Sequence, residues 1–113
     1  MEFTYNKQKP MVEKQNFSEL IAYAPGSVVS KQLIKKDSGN VTLFAFDKGE
    51  GLSEHTAPFD ALVQVLHGQV EILIGGEPYV LETGESIIMP AGIPHALKAV
   101  KQFKMLLTMI KDK

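Results

Sequence analysis

The stretch Gly84-Glu85-Ser86-Ile87-Ile88-Met89-Pro90-Ala91-Gly92-Ile93-Pro94-His95 constrains this chain more than any other. A glycine ends a turn, Ser86 to Met89 reads as a mainly apolar strand, and Pro90-Ala91-Gly92 imposes a sharp bend. Proline fixes φ and withholds a backbone donor, while glycine admits positive φ. The segment therefore reads as strand, corner, strand, with His95 delivered at the start of the second strand. Upstream, Gly51-Leu52-Ser53-Glu54-His55-Thr56-Ala57-Pro58 carries the histidine expected to face it.

The same rhythm runs through the rest of the chain. Val41 to Phe46 alternates Val41, Leu43 and Ala45 with Thr42, Phe44 and Phe46; both sets are largely apolar, so both faces of this strand should be covered. Ala61 to Leu66, Gln69 to Ile74 and Tyr79 to Leu81 follow, separated by the turn signals His67-Gly68, Gly75-Gly76 and Glu82-Thr83-Gly84. The last strand sets Phe103, Met105, Leu107 and Met109 on one face. Nearer the start, Met1 to Asn16 reads as an arm without period. Phe17 to Ile21 reads as one helical turn capped by Ser18, Pro25-Gly26 as a turn, and Ser27 to Lys35 as a strand. Lys36 to Asn40 and Asp47 to Gly51 read as loops. Short strands at turn-marked spacing, with no long helix, predict an all-β sandwich or barrel.

Composition narrows the function. At 113 residues the chain is one domain by length. The net charge is -1, and all 12 positive side chains are lysine. Without arginine a dianionic substrate has no bidentate fork to grip it, and no basic stripe exists to neutralise a nucleic acid. The absence of cysteine removes disulfides, thiolate metal sites and a cysteine nucleophile. The first residues lack the apolar run of a signal peptide and no stretch approaches membrane-spanning length, so a cytoplasmic protein with no membrane partner is expected. No helical DNA-binding segment is evident, which argues against a transcription factor.

With these residues assembled, the chain resembles a small single-domain member of the cupin superfamily, whose fold is a jelly-roll barrel (a double-stranded β-helix). The family's first motif is Gly, five residues, His-x-His, three or four residues, Glu, six residues, Gly. Gly49, His55 and Gly68 match it, whereas Ala57 stands at the second His and Ala61 at the Glu. The second motif is Gly, five residues, Pro-x-Gly, two residues, His, three residues, Asn. Gly84, Pro90, Gly92 and His95 match, and Ala99 stands at the Asn. The resemblance covers residues 41 to 111 as the conserved barrel, leaving 1 to 40 as an N-terminal arm and outer strand. It implies a metal held by three imidazoles and one carboxylate, and homodimers. Two of those four ligand positions are alanine here, and a divalent metal needs about three good protein ligands. Asp60, one residue before the Glu position, should face the other way.

His55 and His95 then have three readings: an inherited hydrogen-bonded pair, a two-histidine site for zinc, iron, manganese or nickel, or a metal-free pair for binding or acid–base work. Alternation from His55 places Ala57, Ala61, Val63 and Val65 on the barrel interior, with Leu97 and Ala99 beside His95. Small apolar residues where enzymes of the fold carry ligands leave room for a greasy cavity. The candidate ligand-binding residues are His55, His95, Val63, Met89 and Leu97, and the ligand expected is a small neutral or apolar compound. Met89, Met105 and Met109 serve either as core filler or as a pocket lining. The competing expectation is a metal-dependent dioxygenase, isomerase or decarboxylase using His55 and His95. His67 reads as a solvated turn residue. Leu62, Leu66 and Leu106 fall on outward faces, so the Ser27 to Lys35 strand or a second subunit must cover them, and a homodimer is expected.

Overall fold

A computed structural model describes residues 12–111; most of the expected Met1 to Asn16 arm lies outside the described residues. Two antiparallel sheets make up the fold. One orders β1 (Val28–Lys36), β2 (Gly39–Phe46), β9 (Phe103–Ile110), β4 (Asp60–His67) and β7 (Ser86–Met89). The other orders β3 (Gly51–His55), β8 (His95–Ala99), β5 (Gln69–Ile74) and β6 (Glu77–Glu82). Apart from the β1–β2 and β5–β6 hairpins, every strand pairs with one distant in sequence. That connectivity is the jelly roll the turn spacing predicts.

The inner faces of the sheets meet in one core. Phe46 and Phe103 stack there with ring centroids 4.5 Å apart and an interplanar angle of 12°, over Val63, Val65, Val70 and Ile72. Gly68 joins β4 to β5 at φ 95°, and any Cβ there would overlap the carbonyl oxygen of Gln102 and the backbone of Phe103. Only glycine fits that backbone approach, which explains why the last position of the first motif survives.

β2 is covered on both sides, as its two apolar sets require. Phe46 enters the core, while Leu43 and Ala45 lie under Phe17, Leu20, Ile21 and Tyr23. This covering segment also packs against Leu66 and Leu106, together with Val29 and Leu33 of β1. The chain thus partly covers two of its three outward leucines by itself. Tyr23 Oη lies 2.6 Å from His67 Nδ1, and Lys104 Nζ donates to the Ser18 carbonyl while sitting 5.0 Å from the Tyr23 ring centroid. His67 is therefore exposed but tethered, not a freely solvated turn residue.

Three local expectations need correction. The 3-10 turn Phe17–Glu19 is capped by Asn16, whose side chain accepts from the Ser18 amide at 3.1 Å, so Ser18 is the donor and not the cap. Lys36 to Asn40 is no loose loop: β1 and β2 join through Asp37-Ser38 alone, with Lys36 opposite Gly39. Gly51 does not end the loop from Asp47 but opens the strand Gly51–His55, in which only Leu52 is a large apolar residue.

Candidate functional site

The two histidines meet. Their ring centroids lie 4.4 Å apart, with the planes at 68°, and the residues are cross-strand partners on β3 and β8. A β-bulge creates this arrangement. Leu52 pairs with Leu97 and His55 with His95, so three steps along β3 answer two along β8. In a regular strand Leu52 and His55, three apart, would face opposite sides of the sheet. The extra residue turns both to the interior, the re-aiming that bulges perform beside binding sites.

Each ring is fixed by its own backbone. His55 Nδ1 lies 2.8 Å from the Ser53 carbonyl, and His95 Nδ1 lies 3.2 Å from that of Ile93. A carbonyl only accepts, so Nδ1 carries the proton in both rings and Nε2 of the neutral form is left with a lone pair. His95 is buried, whereas His55 is exposed at the rim. Burial first, and the neighbouring His55 as a lesser cause, hold the His95 pKa below the usual imidazole value against the opposing pull of the Ile93 carbonyl. A lowered pKa keeps His95 neutral, and thus a lone-pair acceptor, near pH 7.

Both rings line a cavity of about 180 Å3. Ala57, Ala61 and Leu97 line it as interior alternation predicts, Met89 joins them, and among the described residues the two imidazoles are the only polar side chains in its wall. Of the residues proposed from the sequence as ligand contacts, Val63 alone does not reach it; that side chain is fully buried in the core below. Five others do line it: Phe44, Leu52, Met105, Leu107 and Met109. The alternation of β9 already turned its three inward, whereas Leu52 depends on the bulge.

The Pro90-Ala91-Gly92 corner within the second motif is pinned to the loop beyond β3 and to the first residue of β4. Ala91 donates its amide to Asp60 Oδ1 at 2.9 Å, and the Gly92 amide donates to the Ala57 carbonyl at 2.9 Å. Asp60 thus points away from the histidines, as its place in the strand requires, and serves as a clamp. Glu54 and Gln64 are exposed and do not line the cavity.

A cupin-type metal centre needs more donors than this. Among the described residues no group of three or more His, Cys, Asp or Glu side chains converges. Two imidazoles beside the methyl groups of Ala57 and Ala61 do not fit the three-histidine, one-carboxylate set, so no reaction step is assigned to such a metal.

Two antiparallel sheets around a cavity with motif-placed glycines, proline and histidines define the class: a small β-barrel of the jelly-roll type. The model of the cupin domain family matches residues 42–111, and the chain belongs to that family. It is 34% identical to a conserved protein of unknown function from Streptococcus pyogenes, covering 98% of this chain and 97% of that one with a TM-score of 0.88. A cupin 2 conserved barrel domain protein from Leptotrichia buccalis is 43% identical over 83% of this chain, with a TM-score of 0.81; the match spans only 46% of that protein. A cupin superfamily protein from Desulfitobacterium hafniense is 28% identical, covering 96% of this chain and 100% of that one, with a TM-score of 0.85. No curated protein matches the chain. No helix among the described residues is long and apolar enough to cross a membrane.

Proposed function

We propose that this barrel binds a small, neutral, mostly apolar compound in the cavity, with His55 and His95 orienting it. The observation that carries the reading is a pair of imidazoles, each with Nε2 free to accept, set in a wall otherwise built of Ala, Leu, Met and Phe. Size bounds the occupant. Apolar cavities of about 150 Å3 hold a benzene-sized molecule, so this one suits a single ring or its equivalent. A hydroxyl or N–H on that ring would donate to Nε2 of His95. Thermal-shift and calorimetric titration with phenol, against a panel of anionic sugars, tests this. Phenol should stabilise the wild type and lose most of its effect in His95→Phe, and stabilisation by anionic sugars alone rejects the reading.

A metal-dependent cupin enzyme of the dioxygenase, isomerase or decarboxylase type is the second reading. One observation favours it: an imidazole anchored through Nδ1 to a carbonyl is the posture of a metal-ligating histidine. Elemental analysis for zinc, iron, manganese and nickel, before and after chelator, examines it. Ala57→His combined with Ala61→Glu should restore a four-ligand set and bind these ions far more tightly than wild type. Equal affinity in the two proteins would mean that the wild type holds donors beyond the two histidines.

The protein is further proposed to pair with a second copy through the outer face of the five-stranded sheet. Ile34, Val41, Thr108, Leu62 and Ile88 are successive cross-strand partners over all five strands. Beside the row stands Ile110; Ile34, Ile88 and Ile110 are 53%, 61% and 60% exposed. The covering segment shelters Leu66 and Leu106 but not this end of the sheet. A continuous apolar band of that kind is the ordinary substrate of an isologous interface.

A further inference from the structure

The cavity also holds a donor set that no histidine-and-carboxylate count detects. Ala61, at the place of the carboxylate in the cupin motif, pairs with Met89 of β7 on one side and Met109 of β9 on the other. Directly opposed residues on one face have Cβ atoms about 5 Å apart, so two thioethers flank the methyl that stands in for the carboxylate. Both methionines line the cavity, and His55 and His95 line it from the opposite sheet. Four strands thus bring two lone-pair imidazole nitrogens and the thioether sulfurs of Met89 and Met109 to the border of one small space, with Met105 a third methionine in its wall.

We propose that these four side chains form a site for a soft monovalent cation, Cu(I) foremost. Thioether sulfur is a soft donor that prefers Cu(I), whereas magnesium, calcium and manganese prefer oxygen. Charge points the same way. Imidazole nitrogen and thioether sulfur both bind a metal as uncharged donors, no carboxylate among the described residues lines the cavity, and Asp60 is committed to the Ala91 amide. A dication would keep its full charge in an apolar chamber. Desolvation cost grows with the square of the charge, so a monocation incurs only about a quarter of that penalty. Loss of the carboxylate and presence of the methionine pair therefore act together, turning a hard-metal corner into a soft one. The site shares its cavity with the proposed neutral ligand but depends on sulfur, which that ligand does not need.

Methionine-to-leucine substitution tests the sulfur directly, because it removes the donor while conserving apolar volume, a swap that folds tolerate well. The full chain is titrated anaerobically with Cu(I) in competition with bicinchoninate, with Ag(I) as a redox-inert mimic and Zn(II) as the borderline comparison. Wild type is expected to take one Cu(I) per chain, Ag(I) to displace it, and Zn(II) to bind more weakly. Met89→Leu and Met109→Leu should each weaken Cu(I) by about tenfold or more. X-ray absorption of Cu(I)-loaded wild type should show a sulfur shell beside nitrogen, and this readout needs no variant to fold. Zn(II) binding more tightly than Cu(I), undiminished Cu(I) affinity in a folded double variant, or a spectrum with no sulfur shell overturns the proposal. Cu(I) uptake in a chain that ignores phenol would reject the neutral ligand and leave the cation site standing.

Discussion

At the scale of single residues, His95 is where environment matters most. Its side chain is buried among apolar neighbours, and the fold therefore favours the neutral ring. A histidine whose folded pKa is depressed binds fewer protons in the native chain than in the unfolded one. Its contribution to stability is fully present above the unfolded value of about 6.5 and is lost as pH falls through the lower folded value. Urea unfolding midpoints should drop between pH 7 and pH 5, and His95→Phe should flatten that part of the profile. An unchanged slope in the variant would assign the acid sensitivity elsewhere. Asp47 acts further down the scale. It accepts from the Gly26 and Lys48 amides and from the Gln102 side chain, which lower its pKa, so its contribution persists above the usual carboxylate range and fades only in stronger acid.

At the scale of elements, the loop after β3 and the corner before β8 behave as one unit. The Asp60–Ala91 and Ala57–Gly92 hydrogen bonds join them, and the histidines sit immediately on either side. Asp60→Ala should cost about 1 kcal/mol by denaturant titration, with Asp60→Asn recovering most of it through the retained carbonyl oxygen. Phenol affinity should fall with the alanine variant, because the clamp sets the spacing of the rings. The corner itself was legible in the sequence, since Gly84, Pro90 and Gly92 are residues whose backbone limits dictate turns. β3 was not legible. Gly-Leu-Ser-Glu-His offers one large apolar residue, and plain alternation from His55 sends Leu52 outward; only pairing with β8 reveals the extra residue in the bulge. Likewise the inward face of β9 could be read from its period, but the flanking of Ala61 by Met89 and Met109 is a matter of register between distant strands. A local pattern fixes which face a residue takes but not which residue of a distant strand stands opposite it.

At the scale of the whole molecule, the outer face of the large sheet divides into two halves. One is sheltered by Phe17 to Tyr23, and the other carries the row from Ile34 to Ile88. Expecting β1 or a second subunit to cover all three outward leucines was only partly right, because the covering segment could not be assigned a docking place from its short apolar run. Leu62 stays half-buried in the unsheltered half. Sedimentation equilibrium at micromolar concentration should give a mass near twice 12.5 kDa, and Ile88→Lys with Ile34→Lys should return it to the single-chain value without loss of β-sheet circular dichroism. A wild type that sediments at 12.5 kDa excludes the pairing.

β3 lies at the margin of its sheet, hydrogen-bonded to β8 alone and interrupted between Leu52 and His55. One jaw of the histidine pair is consequently mounted on the ribbon that is easiest to peel away, while His95 rides on a strand gripped from both sides. A guest can then enter by lifting a few residues instead of parting the sheets. Amide protons of Ser53 and Glu54 should exchange with deuterium well before those of Ala96 and Leu97, and occupancy of the chamber should slow the former selectively.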